Sequence, residues 1–244
     1  NHKIGDYANG GGVYNYLGDL TLRNVTVSNN SASAGGGGVY SSHGSAFLNN
    51  VTVTNNSAKE GGGILLGTAN QDGAVINVKN TIVNGNHAFN RGPDCYGLIN
   101  SSSNNIVGDT ADCTMFSAID NQLNVNPLLG TFIEGVGYQP LLAGSPAINA
   151  GASCYGAKDQ RGYARVGVCD IGAYEFPSST GGASKLAIAG GNQQATAPHT
   201  TFDNSLAAAI LDANGSPVSG QEITFTAPPS GASGAFAGGV STIT

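Results

Sequence analysis

Carboxylates, histidines, cysteines and glycine runs are the side chains from which a catalytic or metal site would be built. A polysaccharide lyase or hydrolase on a repetitive β scaffold needs converging acids on one face of neighbouring repeats. Alternatively it needs an Asp cluster for Ca²⁺ beside an Arg or Lys base. The acids here do not recur in that way. Asp19 falls opposite Phe47 or its neighbours in the next copy of the repeat described below, and Glu60 and Asp72 have no counterparts in the other copies. Asp109 and Asp112 lie between Cys95 and Cys113 and read as a solvated loop. His43 sits in a Ser-Ser-His-Gly turn and His87 follows Asn86, neither in a triad context; His2 and His199 complete the set. The four cysteines form no C-x-x-C and no Cys/His cluster with metal spacing. The glycine runs lack the following helix and lysine that a phosphate cradle needs. These residues predict no catalytic site, no metal and no cofactor.

What the glycines and asparagines build is more informative. The chain has 244 residues, 38 of them glycine, about twice the usual share. Only 10% are charged, and 9 Lys+Arg against 15 Asp+Glu leave a net charge of −6. That balance gives no drive toward phosphates, so nucleic acid is excluded as a partner. No apolar run is long enough for a transmembrane helix, and no segment is expected to be a signal peptide. Abundant Gly, Asn, Thr, Ser and Val favour an all-β fold.

The sequence repeats itself. Gly10–Ala34, Gly35–Glu60 and Gly61–Phe89 share a Gly-rich start, a Gly-Val or Gly-Ile pair and an Asn-Val-Thr-Val or Asn-Thr-Ile-Val run. The first two copies are offset by 26 residues and the third by 30, with an insertion near 67–73. Each period holds three short alternating segments, too short for helices and too far apart for a hairpin meander. The economical solution is three strands per turn, each pairing with the turn above and below: a parallel β-helix. In that reading Val25, Val27, Val51, Val53 and Ile82 stack inward, and the Gly triplets supply positive φ at the corners. Asn30, Asn56 and Asn86 take matching turn positions and bond to one another. Sequons at Asn24, Asn29, Asn50, Asn55, Asn100 and Asn214 follow from the same turn chemistry. Asn104–Gly108 and Asn126–Gly130 read as degenerate turns, and Ser145–Gly151 as the last one.

A solenoid keeps distant turns apart, which favours the sequential disulfides Cys95–Cys113 and Cys154–Cys169 among the three possible pairings. Each would add about 3 kcal/mol and implies an oxidising, extracytoplasmic setting. The densest charge group is Asp159, Arg161, Arg165, Asp170 and Glu175. It reads as an ion-paired cap, with Arg161 bonding Asp170 or Glu175 to close the bottom of the solenoid; a polar ligand site is the other reading. Tyr14 and Tyr40, 26 residues apart, stack on adjacent turns. With Tyr7 and Tyr16 they form either a stabilising ladder or a surface for sugar or protein.

The turns, together with Ser145–Gly151, Asp159-Gln160-Arg161-Gly162, Arg165 and Cys169–Glu175, resemble the end of bacterial surface proteins with a pectin-lyase-like right-handed β-helix. Their terminal module is called choice-of-anchor Q. Asn126–Gly130 also matches that group's recurrent pattern. The resemblance spans roughly 10–176 and implies an adhesin or other surface protein.

From Lys185 the texture changes. Lys185–Ile188, Ser205–Leu211 and Gln221–Thr226 alternate like strands, and the turn Asp212–Val218 is similar to those of bacterial Ig-like domains of the invasin group. About 60 residues fall short of the usual 90–100 for such a domain. Asp212 and Asn214 are far short of a Ca²⁺ ligand set. The expected organisation is a β-helix with a stapled cap over 1–176, a flexible linker over 177–184, and an incomplete Ig-like β-sandwich over 185–244. The expected function is a non-catalytic structural or adhesive protein, extracellular or on a bacterial surface, acting as a rigid stalk or display surface. Its partners would be a surface glycan, a protein, or itself. The alternatives are a filament subunit joined by turn stacking or strand donation, and a polysaccharide-active enzyme.

Overall fold

The structure is a computed structural model and describes residues 2–3, 8–67, 74–116, 120–177, 185–191, 194–197, 200–202, 204–211, 218, 222–229 and 242–243. Tyr7, Asp72, His199, Asn214, the insertion residues 68–73, the linker residues 178–184 and the turn residues 212–217 lie outside the described residues. The chain divides into two compact units, Asn1–Phe176 and Pro177–Thr244. Among the described residues every regular element is a strand, and no helix is long and apolar enough to cross a membrane.

The first unit is a parallel β-solenoid of about three turns, with the strands Cys95–Ser103 and Ile106–Val107 beginning a fourth. β1 (His2–Lys3), β2 (Val13–Tyr16), β3 (Leu20–Ser28) and β4 (Ser31–Ala32) begin it; β5 (Val39–Ser42), β6 (Ala46–Thr54) and β7 (Ser57–Glu60) make the next turn. The turn after that holds β8 (Ile64–Gly67), β9 (Ile76–Lys79), β10 (Ile82–Asn84) and β11 (His87–Arg91). β12 (Cys95–Ser103), β13 (Ile106–Val107), β14 (Cys113–Phe116) and β15 (Gln122–Leu123) complete the element order of this unit. One face stacks β1, β4, β7 and β11, a second β2, β5, β8 and β12, and a third runs through β3, β6, β9, β10, β13 and β15.

Register keeps like residues in columns. Val13, Val39, Ile64 and Cys95 are successive partners, as are Val27, Val53, Val83 and Val107. Leu48, Val51, Val53, Ile64 and Ile76 are fully buried between the faces, each worth about 1.5–3 kcal/mol of burial. Asparagines in the left-handed region bend the third face: Asn24 (φ 49°), Asn50 (54°), Asn80 (47°) and Asn104 (53°) recur turn by turn. Asn tolerates this region because its short polar side chain bonds locally.

Five sequence expectations are corrected. Ile82 pairs with Thr52, not with a valine, and faces out of the solenoid into a second core with Ile106, Leu141, Ala147, Ile171 and Tyr174. Thr81, not Ile82, is thus the third-turn counterpart of Val25 and Val51. Val25 is 36% exposed, because no described strand lies on the outer side of β3 in that face. In each glycine triplet only the first has positive φ (Gly10, Gly36, Gly61), and the others admit the backbone of the next turn; a Cβ on Gly37 would meet Gly62 O at 2.4 Å. The stretch Gly92-Pro93-Asp94-Cys95-Tyr96 is a fourth copy of the corner, its carbonyls accepting from Gly62, Gly63 and Ile64. Finally, Asn126–Gly130 and Ser145–Gly151 are not turns of the solenoid. Leu129 bridges Leu141 antiparallel, and Ser145–Gly151 is a loop against the second core.

In the second unit β16 (Lys185–Gly190) pairs antiparallel with β17 (Ala207–Leu211), and β18 (Phe225–Thr226) with β19 (Thr242–Ile243).

Candidate binding face

The polar side chains of the first unit divide into an interior ladder, a clamp and an outer face. The ladder is made of Asn30, Asn56 and Asn86. The backbone N–H and side-chain amide of Asn30 both donate to Asn56 Oδ1 at 3.0 Å, and those of Asn56 to Asn86 Oδ1 at 3.0 and 2.9 Å. Asn86 donates the same pair of bonds to Asp94 Oδ1, and Asp94 Oδ2 accepts from Asp109 N–H at 2.8 Å. Burial pushes the Asp94 carboxyl above its ordinary range, while the Asn86 bonds pull it back. A second ladder runs from Thr81 through Asn105 to Asn121.

Residues 145–176 form the clamp, and their placement corrects the expected end cap. They lie along the flank of the solenoid, touching four turns in order. Asn104 donates to Ala150 O at 2.9 Å, Asn80 exchanges two bonds with Ala152, Asn50 accepts from Tyr155 N–H at 2.8 Å, and Asn24 donates to Lys158 O at 3.0 Å. The recurrent left-handed asparagines therefore read the backbone of 150–158 one turn at a time. Their recurrence was the signal for this; the sequence does not reveal what they would meet.

The clamp's ion pairs also differ from expectation. Arg161 pairs with Asp159 (2.7 Å) rather than with Asp170 or the Glu175 carboxylate, donates to Glu175 O at 2.6 Å, and lies 3.7 Å over the Tyr174 ring. Arg165 takes the Glu175 carboxylate at 2.9 Å and reaches Asn24 Oδ1 at 2.9 Å. Asp170, 1% exposed, accepts from the backbone of Asn149 and Phe176. Burial pushes its carboxyl up to about 7, against those bonds and the opposing pull of Arg165. The disulfides are Cys95–Cys113, joining β12 and β14 (Cα–Cα 5.2 Å), and Cys154–Cys169 inside the clamp (6.3 Å).

The outer face carries the tyrosines. Tyr14 and Tyr40 stack with ring centroids 5.3 Å apart, and Tyr16 extends the stack at 6.3 Å from Tyr14. Tyr16 also meets the His43 ring edge-on. The column continues in register through Leu65 to Tyr96, two members that the sequence reading missed. Tyr96 follows Gly92 at the same offset as Tyr14 follows Gly10, so the corner spacing would have found it. At Leu65 the column lacks a ring. There a cleft of about 480 Å³ opens, bordered by Tyr40, Leu65, Leu66, Tyr96, Lys59 and Glu60. Arg91 pairs with Glu60 at 3.0 Å and covers the Tyr96 ring at 4.4 Å.

Other groups with chemical potential have structural partners. Asp112 accepts from Gly92 N–H, Asp109 from Ala111 N–H, and His43 Nδ1 lies 2.7 Å from Ser42 Oγ. Among the described residues, no group of three His, Cys, Asp or Glu side chains is arranged to hold a metal ion. No protein-family model, no curated protein and no solved structure matches the chain.

Proposed function

We propose that the chain is a non-catalytic extracellular surface protein whose solenoid acts as a rigid display scaffold and binds its partner through the tyrosine face. The observation that carries this reading is the column Tyr14–Tyr40–Leu65–Tyr96, held in register by backbone pairing, with Tyr14 47% and Tyr16 54% exposed at its start. A tyrosine presents an apolar body and a polar tip, which suits a partly wet interface. The two disulfides support an oxidising location. The carboxylates of Glu60, Asp94, Asp159, Asp170 and Glu175 are engaged in ion pairs or backbone bonds. That arrangement favours binding over turnover.

The test is retention on immobilised polysaccharide and glycoprotein. Saturable retention without release of reducing sugar or peptide is expected, and it should weaken in the double variant Tyr14→Ala/Tyr40→Ala. Product release, or retention indifferent to the double variant, would overturn the reading.

A further inference from the structure

The tyrosine column is interrupted at one turn, and the interruption is shaped. Tyr14, Tyr40, Leu65 and Tyr96 are successive cross-turn partners. Leu65 is shorter than the tyrosines and, 5% exposed, lies at the base of a notch between Tyr40 and Tyr96. Tyr40 leans toward Gly67, where a Cβ would meet its hydroxyl at 2.1 Å; glycine there is what lets the ring lie in that position. Lys59 and the Glu60–Arg91 pair stand at the rim, on the neighbouring face. The notch, about 480 Å³ and bordered also by Asn9 and Ser33, falls in the range of about 300–1,000 Å³ typical of small-ligand sites.

We infer that this notch is a saccharide-binding site that takes a pyranose ring of a polysaccharide. It rests on the proposed binding role of the tyrosine face and names the ligand class and the subsite. A pyranose has C–H faces that suit Tyr40 and Leu65, beside the Tyr96 ring that Arg91 covers. Its hydroxyl edge needs donors and acceptors side by side, which Lys59, Glu60 and Arg91 supply. A peptide added as an extra strand is disfavoured: the corner backbone at this site is already spent between turns, Gly36 N–H on Glu60 O and Gly61 N–H on Arg91 O. A nucleic acid is disfavoured by the net charge of −6.

The experiment is affinity electrophoresis of the whole chain in native gels containing a β-1,4-glucan, a polymer of N-acetylglucosamine, or a polyuronate. Retardation by at least one is expected. Leu65→Tyr, which restores the missing ring and fills the notch, should weaken that retardation about tenfold or more. Tyr96→Ala and Lys59→Ala should weaken it too, and they carry the test should Leu65→Tyr fail to fold. No retardation by any of the three polymers overturns the inference. So does retardation equal in wild type and folded variants, in which case the tyrosine face can still bind elsewhere along the column. Release of reducing ends in the same gels would instead overturn the non-catalytic reading. The two failures are therefore separable.

Discussion

Arg161 concentrates more interactions than any other clamp side chain described above. Its guanidinium meets Asp159, the Glu175 carbonyl and the rings of Tyr174, Tyr163 and Tyr138. Both partners of the ion pair are buried, at 8% and 0% side-chain exposure. Removing one partner of such a pair leaves a buried charge unsatisfied, so Arg161→Ala is expected to cost about 3–5 kcal/mol. Thermal denaturation should register this as a fall of roughly 10 °C. Arg161→Lys should recover only a fraction, since an ammonium cannot reproduce the planar fork or the stacking; full recovery would mean that charge alone matters. Asp170 gives a pH dependence. Its carboxyl is pushed up to about 7 in the folded chain, against 3.8 for an ordinary aspartate. The folded state then binds the proton more tightly than the unfolded state. Its contribution is fully present below about pH 4 and is lost as pH rises through about 7. Chemical denaturation across that window should show stability falling with pH, by about 4 kcal/mol at most. Asp170→Asn should flatten the profile, whatever it does to stability overall; an unchanged slope would assign the dependence to another group. Asp170 and Glu175 were legible in the sequence as members of a charged cluster. The partners were not: which arginine meets which acid depends on how the chain folds back, and spacing along the chain does not encode that.

At the scale of elements, the Asn ladder behaves like a strand made of side chains. Asn56 is its interior member. It accepts two bonds from Asn30, gives two to Asn86, and donates to the carbonyls of Thr54 and Val27. Asn56→Ala strands buried donors and acceptors on both neighbouring turns, at about 1–3 kcal/mol for each group left without a partner. Asn30→Ala removes the donor at the ladder's end and leaves Asn56 its bonds to Asn86, so it is expected to cost clearly less. Urea denaturation of the two variants checks the order; equal losses would mean that the ladder does not act cooperatively. The period of this ladder was readable because identical asparagines recur after identical strands. The fourth turn was harder. Its corner reads Gly92-Pro93-Asp94-Cys95-Tyr96, and Asp94 replaces glycine while ending the Asn ladder. Composition had drifted there while backbone geometry had not. Ile82 was misplaced for a related reason. Alternation assigns faces only until a left-handed asparagine resets the parity, and the third copy has Thr-Ile where the others have Val-Thr.

At the scale of the first unit, the clamp changes how a solenoid is held together. Turns of a solenoid contact only their neighbours, so such folds fray from the ends and lose cooperativity with length. Here residues 150–158 run across four turns and pin each through one asparagine, in bonds that span 131, 134, 105, 72 and 46 residues of sequence. The second core joins Ile82 and Ile106 of the solenoid to Leu141 and to Ile171 and Tyr174 of the clamp. Turns that would open one at a time are thereby coupled. Cutting the coupling at two points should uncouple them: Cys154→Ser/Cys169→Ser removes the clamp's staple, worth about 3 kcal/mol, and Asn50→Ala removes its grip on a middle turn. Native-state hydrogen exchange of the wild type is expected to show amides of β3, β6 and β10 opening with similar free energies, as one cooperative unit. In the triple variant the protection of β3 should fall further than that of β6 and β10, because among the described residues β3 has a strand neighbour on one side only while β6 lies between β3 and the β9–β10 turn. A uniform loss across the three strands would mean that the inter-turn ladders alone supply the cooperativity and that the clamp merely sits on them.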